Sequence, residues 1–259
     1  MGDVAVPRPA ATVMLLRDGP TGLEVFMTVR HAGMDFMPGA LVFPGGGVDA
    51  ADAAVAGGEA GAARVAAVRE VFEECGILLA RGAGRADPFD EAEVAPFRAR
   101  YAADAGDRRE RFARMVLREG LVLATGDLVP FARWVTPPVR PKRFDTHFFL
   151  AACPPAQTAL HDGAEAVDSL WTSPAAALAG HAAGRFDVVL PTEMNLVKLG
   201  RTASVAEAMT AARAAPVVTV SPEMTRTERG VAIRIPLAAG YGVETLLRRV
   251  DRNLPPSDA

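Results

Sequence analysis

Short blocks of apolar residues bounded by turn formers dominate the first part of the chain, and a rhythm of three and four residues follows. Ala11 to Leu16 (ATVMLL) and Leu23 to Arg30 (LEVFMTVR) predict two strands, joined as a hairpin across Asp18-Gly19-Pro20. Residues 31–40 read as a loop, and a third short strand, Leu41-Val42-Phe43, stops at Pro44 and Gly45 to Gly47. Residues 48–62 show no firm period. A helix is then predicted from Ala63 to Leu79, with Val65, Val68, Phe72, Cys75 and Leu79 on its core face and Gly82 and Gly84 at its end. Residues 88–120 read as charged helix, most simply a solvated surface, with a lid or a dimer element as the alternatives. Further strands are expected at Phe131 to Thr136, Thr146 to Ala152 and Val167 to Thr172. Helices are expected at Ala175 to Ala182, with Pro174 at the favourable first turn, and at Leu196 to Ala214. The tail holds two strand-like pieces, Val217 to Val220 and Val231 to Leu237. This succession of strands and helices predicts an α/β fold.

Composition narrows the picture. The chain has 259 residues, 50% hydrophobic and 23% charged, which suits one well-filled domain over 1–259 or one domain with an insertion. A formal charge of −3 and a pI near 5.9 point to no nucleic acid and no anionic membrane as partner. A polyanionic ligand would have to be met by local cations or by metal. Cys75 and Cys153 are too few for a disulfide framework, so a reduced, cytoplasmic setting is expected. The first residues lack a secretory pattern, and no apolar run reaches the length of a membrane span.

Chemistry concentrates in Arg69 to Ile77, REVFEECGI. On a helix, Glu70, Glu73 and Glu74 stand at i, i+3 and i+4, so their carboxylates share one side. Like charges at that spacing cost about 0.2–0.5 kcal/mol per pair. A hard divalent cation would offset the repulsion, since Mg²⁺ takes one or two carboxylates, waters and phosphates. A solvated acidic face is the plain alternative. The glycine-rich turn upstream weighs against it, because backbone without a Cβ can approach a metal or phosphate closely.

Together these features resemble the Nudix hydrolase family, whose signature ends in REUxEExGU, where U is aliphatic. Arg69 to Ile77 matches that half fully, and Phe43 to Gly46 (FPGG) matches the loop that leads into it. The resemblance implies an α/β/α sandwich with a mixed sheet, here with a helical insertion at 88–120 and an extension after about residue 200. It implies Mg²⁺ or Mn²⁺ held by Glu70, Glu73, Glu74 and the Gly45 carbonyl, with Arg69 orienting the glutamates by ion pairing. Water would attack one phosphorus of a diphosphate. One departure stands out: the family's upstream Glu falls on Gly61, and Glu59 is the nearby candidate to replace it. A downstream loop acid often serves the family as base. Glu165 is the first candidate, Asp162 the second, and His147, in the apolar strand THFFL, ranks below both.

For substrate, Met27 to Gly46 resembles the motif of coenzyme A diphosphatases through Thr28, Arg30, Gly39 and FPGG, although Asp35 replaces its second Arg. FMPGA (Phe36 to Ala40), WVTP (Trp134 to Pro137) and RFDTHFF (Arg143 to Phe149) extend the resemblance to the larger acyl-CoA diphosphatases of the peroxisomal type and their bacterial relatives. Arg30 and Arg143 are the substrate-binding candidates, with Arg140 and Lys142 beside the latter. Trp134 and Phe144 are candidates for base stacking, against a plainer role in the core. The expected partner is a small nucleoside diphosphate-linked molecule. A homodimer is the assembly that the resemblance suggests. Competing readings are a Nudix pyrophosphatase of ADP-ribose, NADH or dinucleoside polyphosphates, and a non-catalytic Nudix-like binding module. A mere binder has no need for three mutually repelling acids.

Overall fold

The computed structural model describes residues 4–31, 39–160 and 166–248, with Arg108 and Val167 described by backbone alone. Asp35, Phe36 to Pro38 and the loop from His161 to Glu165 therefore lie outside the described residues.

The first two strands, β1 (Arg8–Gly19) and β2 (Gly22–Arg30), pair only near their turn, from Leu16 against Val25 to Gly19 against Gly22. Beyond that they splay. The short strands β3 (Leu41–Val42) and β4 (Gly45–Gly47) fill the gap: β3 pairs with β2 at Thr28 and Val29, and β4 pairs with β1 from Ala10 to Thr12. The Val13 N–H donates to the Pro44 carbonyl at 2.9 Å, so the FPGG run is stitched into the sheet.

Two helices follow, α1 (Ala50–Ala56) and α2 (Glu59–Cys75). The stretch 48–62 hides α1 because that helix buries mainly an acid, Asp52, and so shows no apolar stripe. Helix α2 stops at Gly76, not at Leu79 as expected. Gly76 adopts φ +68, a left-handed cap open to glycine, and its N–H returns to the Phe72 carbonyl at 3.0 Å. Ile77, Leu78 and Leu79 stay buried in extended chain, which is why the apolar rhythm outlasts the helix.

Strand β5 (Ala80–Gly82) leads to the helices α3 (Glu91–Ala103) and α4 (Arg108–Glu119), and β6 (Leu121–Leu123) pairs back on β5. Asp90 and Asp107 cap the two helices, accepting from the Glu93 and Arg109 N–H groups. The main sheet continues with β7 (Val129–Val135), β8 (Phe144–Ala152) and β9 (Ala166–Thr172), then the helices α5 (Pro174–Ala182), α6 (Leu190–Leu199) and α7 (Val205–Ala214). The single helix expected over Leu196 to Ala214 is thus two, broken before Ser204, whose hydroxyl caps α7. Strand β10 (Thr219–Val220) joins the edge of the sheet. A separate three-stranded sheet follows, β11 (Glu223–Thr227), β12 (Gly230–Arg234) and β13 (Thr245–Arg248).

The main sheet runs β10-β7-β8-β1-β2-β3, with β4 beside β1 and β9 beside β2. It is mixed: β8 lies parallel to β1, and β10 to β7, while the other pairs are antiparallel. Alternation along β1 serves both faces. Ala11, Val13 and Leu15 pack with Val68, Phe72 and Phe112 of α2 and α4. Met14 and Leu16 pack with Ala177, Leu196 and Met209 of α5, α6 and α7. The result is an α/β/α sandwich. Among the described residues, no helix is long and apolar enough to cross a membrane.

Candidate functional site

Arg69 organises the acidic face of α2. It is 5% exposed, and its donors go to five oxygens. Nε and Nη2 reach the two carboxylate oxygens of Asp52 at 2.9 and 3.0 Å, and Nη2 also donates to the Gly47 carbonyl at 2.8 Å. Nη1 donates to Glu70 at 2.7 Å and to Glu73 at 3.1 Å. Burial by itself would make the guanidinium easier to deprotonate. The Asp52 bond and the charges of Glu70, Asp52 and Glu73 more than reverse that, so its pKa is raised and the cation is locked in.

The glycine strand closes on this cluster. A Cβ on Gly46 would stand 2.3 Å from Glu70 Oε1, and one on Gly45 would stand 2.5 Å from the Ala11 carbonyl. Bare backbone is therefore required for β4 to lie against the acids. The Gly45 N–H donates to Glu74 Oε2 at 3.4 Å. Around this contact opens a cleft of about 500 Å³, lined by Gly45 to Gly47, Asp49, Arg69, Glu70 and Glu73. Arg30, Arg109 and Lys142 line the same cleft and bring cations from β2, α4 and the turn before β8.

The charged helices α3 and α4, which read as solvated surface in the sequence, reach this site. The Tyr101 hydroxyl donates to Glu73 Oε1, and its ring meets Phe72 edge-on with centroids 5.3 Å apart. Arg98 Nε donates to the Gly76 carbonyl at 2.7 Å, placing a cation at the C-terminus of α2, where the helix dipole favours one. No local spacing reveals these partners, because they are joined to α2 by packing alone.

Other candidates are placed as follows. Glu165 and Asp162 lie outside the described residues; β9 begins at Ala166, in register with Arg30. His147 is not among the residues lining the cleft, and its ring stacks on Phe149 at 6.3 Å. Burial, then the neighbouring Arg133, hold its pKa below the ordinary histidine value, and Asp145 partly opposes them. Arg143 is likewise absent from the lining and donates to the Thr136 and Ala5 carbonyls at 2.9 and 2.7 Å. Phe144 lines the cleft. Trp134 instead sits in the core, 3% exposed, with its indole N–H donating to the Tyr241 hydroxyl at 2.8 Å. Glu59 is exposed at the start of α2, and the acid upstream of α2 that meets Arg69 is Asp52.

The residues present suit a hard cation. Asp52, Glu70 and Glu73 pair with one guanidinium, a formal excess of two negative charges, and Glu74, bonded by the Gly45 N–H, adds a third. All its side-chain donors are oxygens. Among the described residues no three His, Cys, Asp or Glu side chains surround one point, since Glu70 and Glu73 turn toward Arg69. An incomplete protein cage is what Mg²⁺ ordinarily uses, with waters and substrate phosphates supplying the rest.

Comparison with known proteins agrees with this geometry. A family profile described as the NUDT19 Nudix domain matches residues 58–199. Acyl-coenzyme A diphosphatase NUDT19 of Gallus gallus is 29% identical over an alignment of 219 positions, covering 62% of this chain and 56% of that protein. The Caenorhabditis elegans protein named "Putative nudix hydrolase 7" is 34% identical over 143 residues, 55% of this chain and 43% of that protein. The chain thus spans about half the length of these relatives. The crystal structure of a NUDIX hydrolase from Alicyclobacillus acidocaldarius superposes with a TM-score of 0.72 at 31% identity, over 83% of this chain and 100% of that one. With the profile, the fold and the REVFEECGI helix in agreement, the chain belongs to the Nudix hydrolase family and carries a Nudix domain of the NUDT19 type.

Proposed function

We propose that the protein is a divalent-metal-dependent diphosphate hydrolase whose substrate is coenzyme A or an acyl-CoA. One observation carries this reading: a single cleft is lined both by the carboxylates of Glu70 and Glu73 and by Arg30, Arg109 and Lys142. Such a cleft suits a ligand with a diphosphate and a further phosphate. The sequence motif around Arg30 and the likeness to the Gallus gallus protein support the same substrate.

Glu70, Glu73 and Glu74, with the Gly45 carbonyl, would hold Mg²⁺ or Mn²⁺. The bound metal would neutralise phosphoryl charge and lower the pKa of a water. Arg69 orients the glutamates. Arg30 and Lys142 oppose the substrate's phosphates, and Arg143 steadies the turn that carries Lys142 by donating to the Thr136 carbonyl and to the Ala5 carbonyl of the segment before β1. Glu165 takes the proton from the attacking water. Water adds to one phosphorus, the P–O–P bond breaks, and 3',5'-ADP and a 4'-phosphopantetheine product leave. Two cysteines, too few for a disulfide framework, support a reducing, cytoplasmic setting.

A panel of CoA, acyl-CoA, ADP-ribose, NADH and diadenosine tetraphosphate with Mg²⁺ or Mn²⁺, products identified by mass, tests the reading. The highest kcat/KM is expected for CoA or acyl-CoA. Faster cleavage of another member would replace the substrate, and no cleavage at all would remove the enzyme.

A further inference from the structure

The acid that the Nudix signature places upstream of Arg69 is missing here, since position 61 is glycine. The structure gives a physical reason. A Cβ on Gly61 would come within 2.9 Å of the Ala56 Cβ, because the last turn of α1 packs there. Helix α1 occupies the space, and it also brings an acid of its own. Asp52 is 2% exposed and held by three N–H donors: Arg69 Nε at 2.9 Å, Arg69 Nη2 at 3.0 Å and the Asp49 backbone at 2.8 Å.

We infer that Asp52 is the positioning residue of this site, fixing Arg69 and through it the carboxylates of Glu70 and Glu73, in place of the acid that position 61 lacks. The inference rests on the metal-site reading above. Its logic is geometric. A guanidinium is planar, and two bonds to one carboxylate set both its position and its plane. With Nε and one Nη committed to Asp52, the other Nη points at Glu70 and Glu73. Without Asp52 the buried cation has those two glutamates as its remaining carboxylate partners. It would draw both toward itself, in competition with any cation they are meant to hold. Asp52 touches neither substrate nor reacting atoms, so its effect should fall on metal affinity and kcat and leave KM for the substrate nearly alone.

The test uses the full chain and Mn²⁺ as probe. Calorimetry without substrate gives Mn²⁺ affinity, and steady-state rates with saturating Mn²⁺ give kcat and KM. Asp52→Asn keeps the shape and removes the charge. The expected result is Mn²⁺ affinity weakened by about ten-fold or more and kcat lowered by a similar factor, the range typical of residues that support metal ligands, with KM changed less than three-fold. A folded variant with wild-type affinity and kcat would overturn the inference. Because Asp52→Asn leaves a buried cation short of a partner, a second comparison is made in an Arg69→Met background, where the pair is removed together. Asp52→Asn should there change Mn²⁺ affinity less than two-fold, because the route through Arg69 is gone. A further loss of three-fold or more would show that Asp52 acts by some other path and also contradict the inference. Failure of the underlying reading looks different: wild-type protein would then bind no Mn²⁺ at this site, or bind it as tightly after Glu73→Gln.

Discussion

Glu73 is bonded from within its own helix by Arg69 Nη1, one turn earlier in α2, and from outside it by the Tyr101 hydroxyl of α3. Tyr101→Phe keeps the ring on Phe72 and deletes that second bond. It should lower kcat by about ten-fold while the melting temperature stays within a few degrees, which a thermal scan and initial rates would check. His147 supplies a prediction about pH. Its pKa is depressed by burial and by Arg133, so the folded ring resists protonation. Below the ordinary histidine value of about 6.5 the unfolded chain takes up the proton first. Stability should therefore fall as pH drops below that value, until the folded ring also protonates. Urea unfolding of wild type and His147→Gln between pH 7.5 and 5 reads this, and the variant should show the shallower decline. Equal slopes would deny the burial effect.

Among the elements, α2 and β4 make the site between them. Gly46 shows how closely they fit, for a methyl group there would meet Glu70 Oε1 at 2.3 Å. Glu70 is a flexible side chain, but Arg69 holds it, so Gly46→Ala should push the carboxylate off its partner. The expected outcome is Mn²⁺ affinity lowered by about ten-fold with a stability change near 1 kcal/mol, measured by calorimetry and denaturant titration. What the sequence reveals at this scale follows from distance along the chain. Glu70, Glu73 and Glu74 are legible because one helix repeats them on one side, and β1 and β2 because their apolar blocks end in turn residues. Asp52 is not legible. It lies in an alanine-rich stretch without a stripe, and its partner is joined to it by tertiary packing. Tyr101 is hidden for the same reason, within a charge run that reads as solvent-facing. The end of α2 misleads because Ile77 to Leu79 are buried whether helical or extended. Trp134, a candidate for base stacking, is claimed by the core, where Tyr241 bonds its indole and Asn195 accepts from Tyr241 at 2.8 Å.

Across the whole molecule, the sheet is covered on both faces, and the cleft opens where β1 and β2 splay to admit the glycine run. The helices α3 and α4 lie on the same side as α2 and give the cleft Arg109. If that residue meets a phosphate of the substrate, Arg109→Ala should raise KM for CoA by about ten-fold, the scale of one hydrogen bond to a charged group, and leave the fold intact. An unchanged KM would return α4 to a purely structural role. The central claim is that the acids of α2 drive diphosphate cleavage. Incubating wild type and Glu73→Gln with CoA and Mn²⁺, with products followed by mass, tests it most directly. The account predicts 3',5'-ADP and 4'-phosphopantetheine from wild type and a rate lower by about a hundred-fold from the folded variant. Equal rates from the two proteins would contradict it.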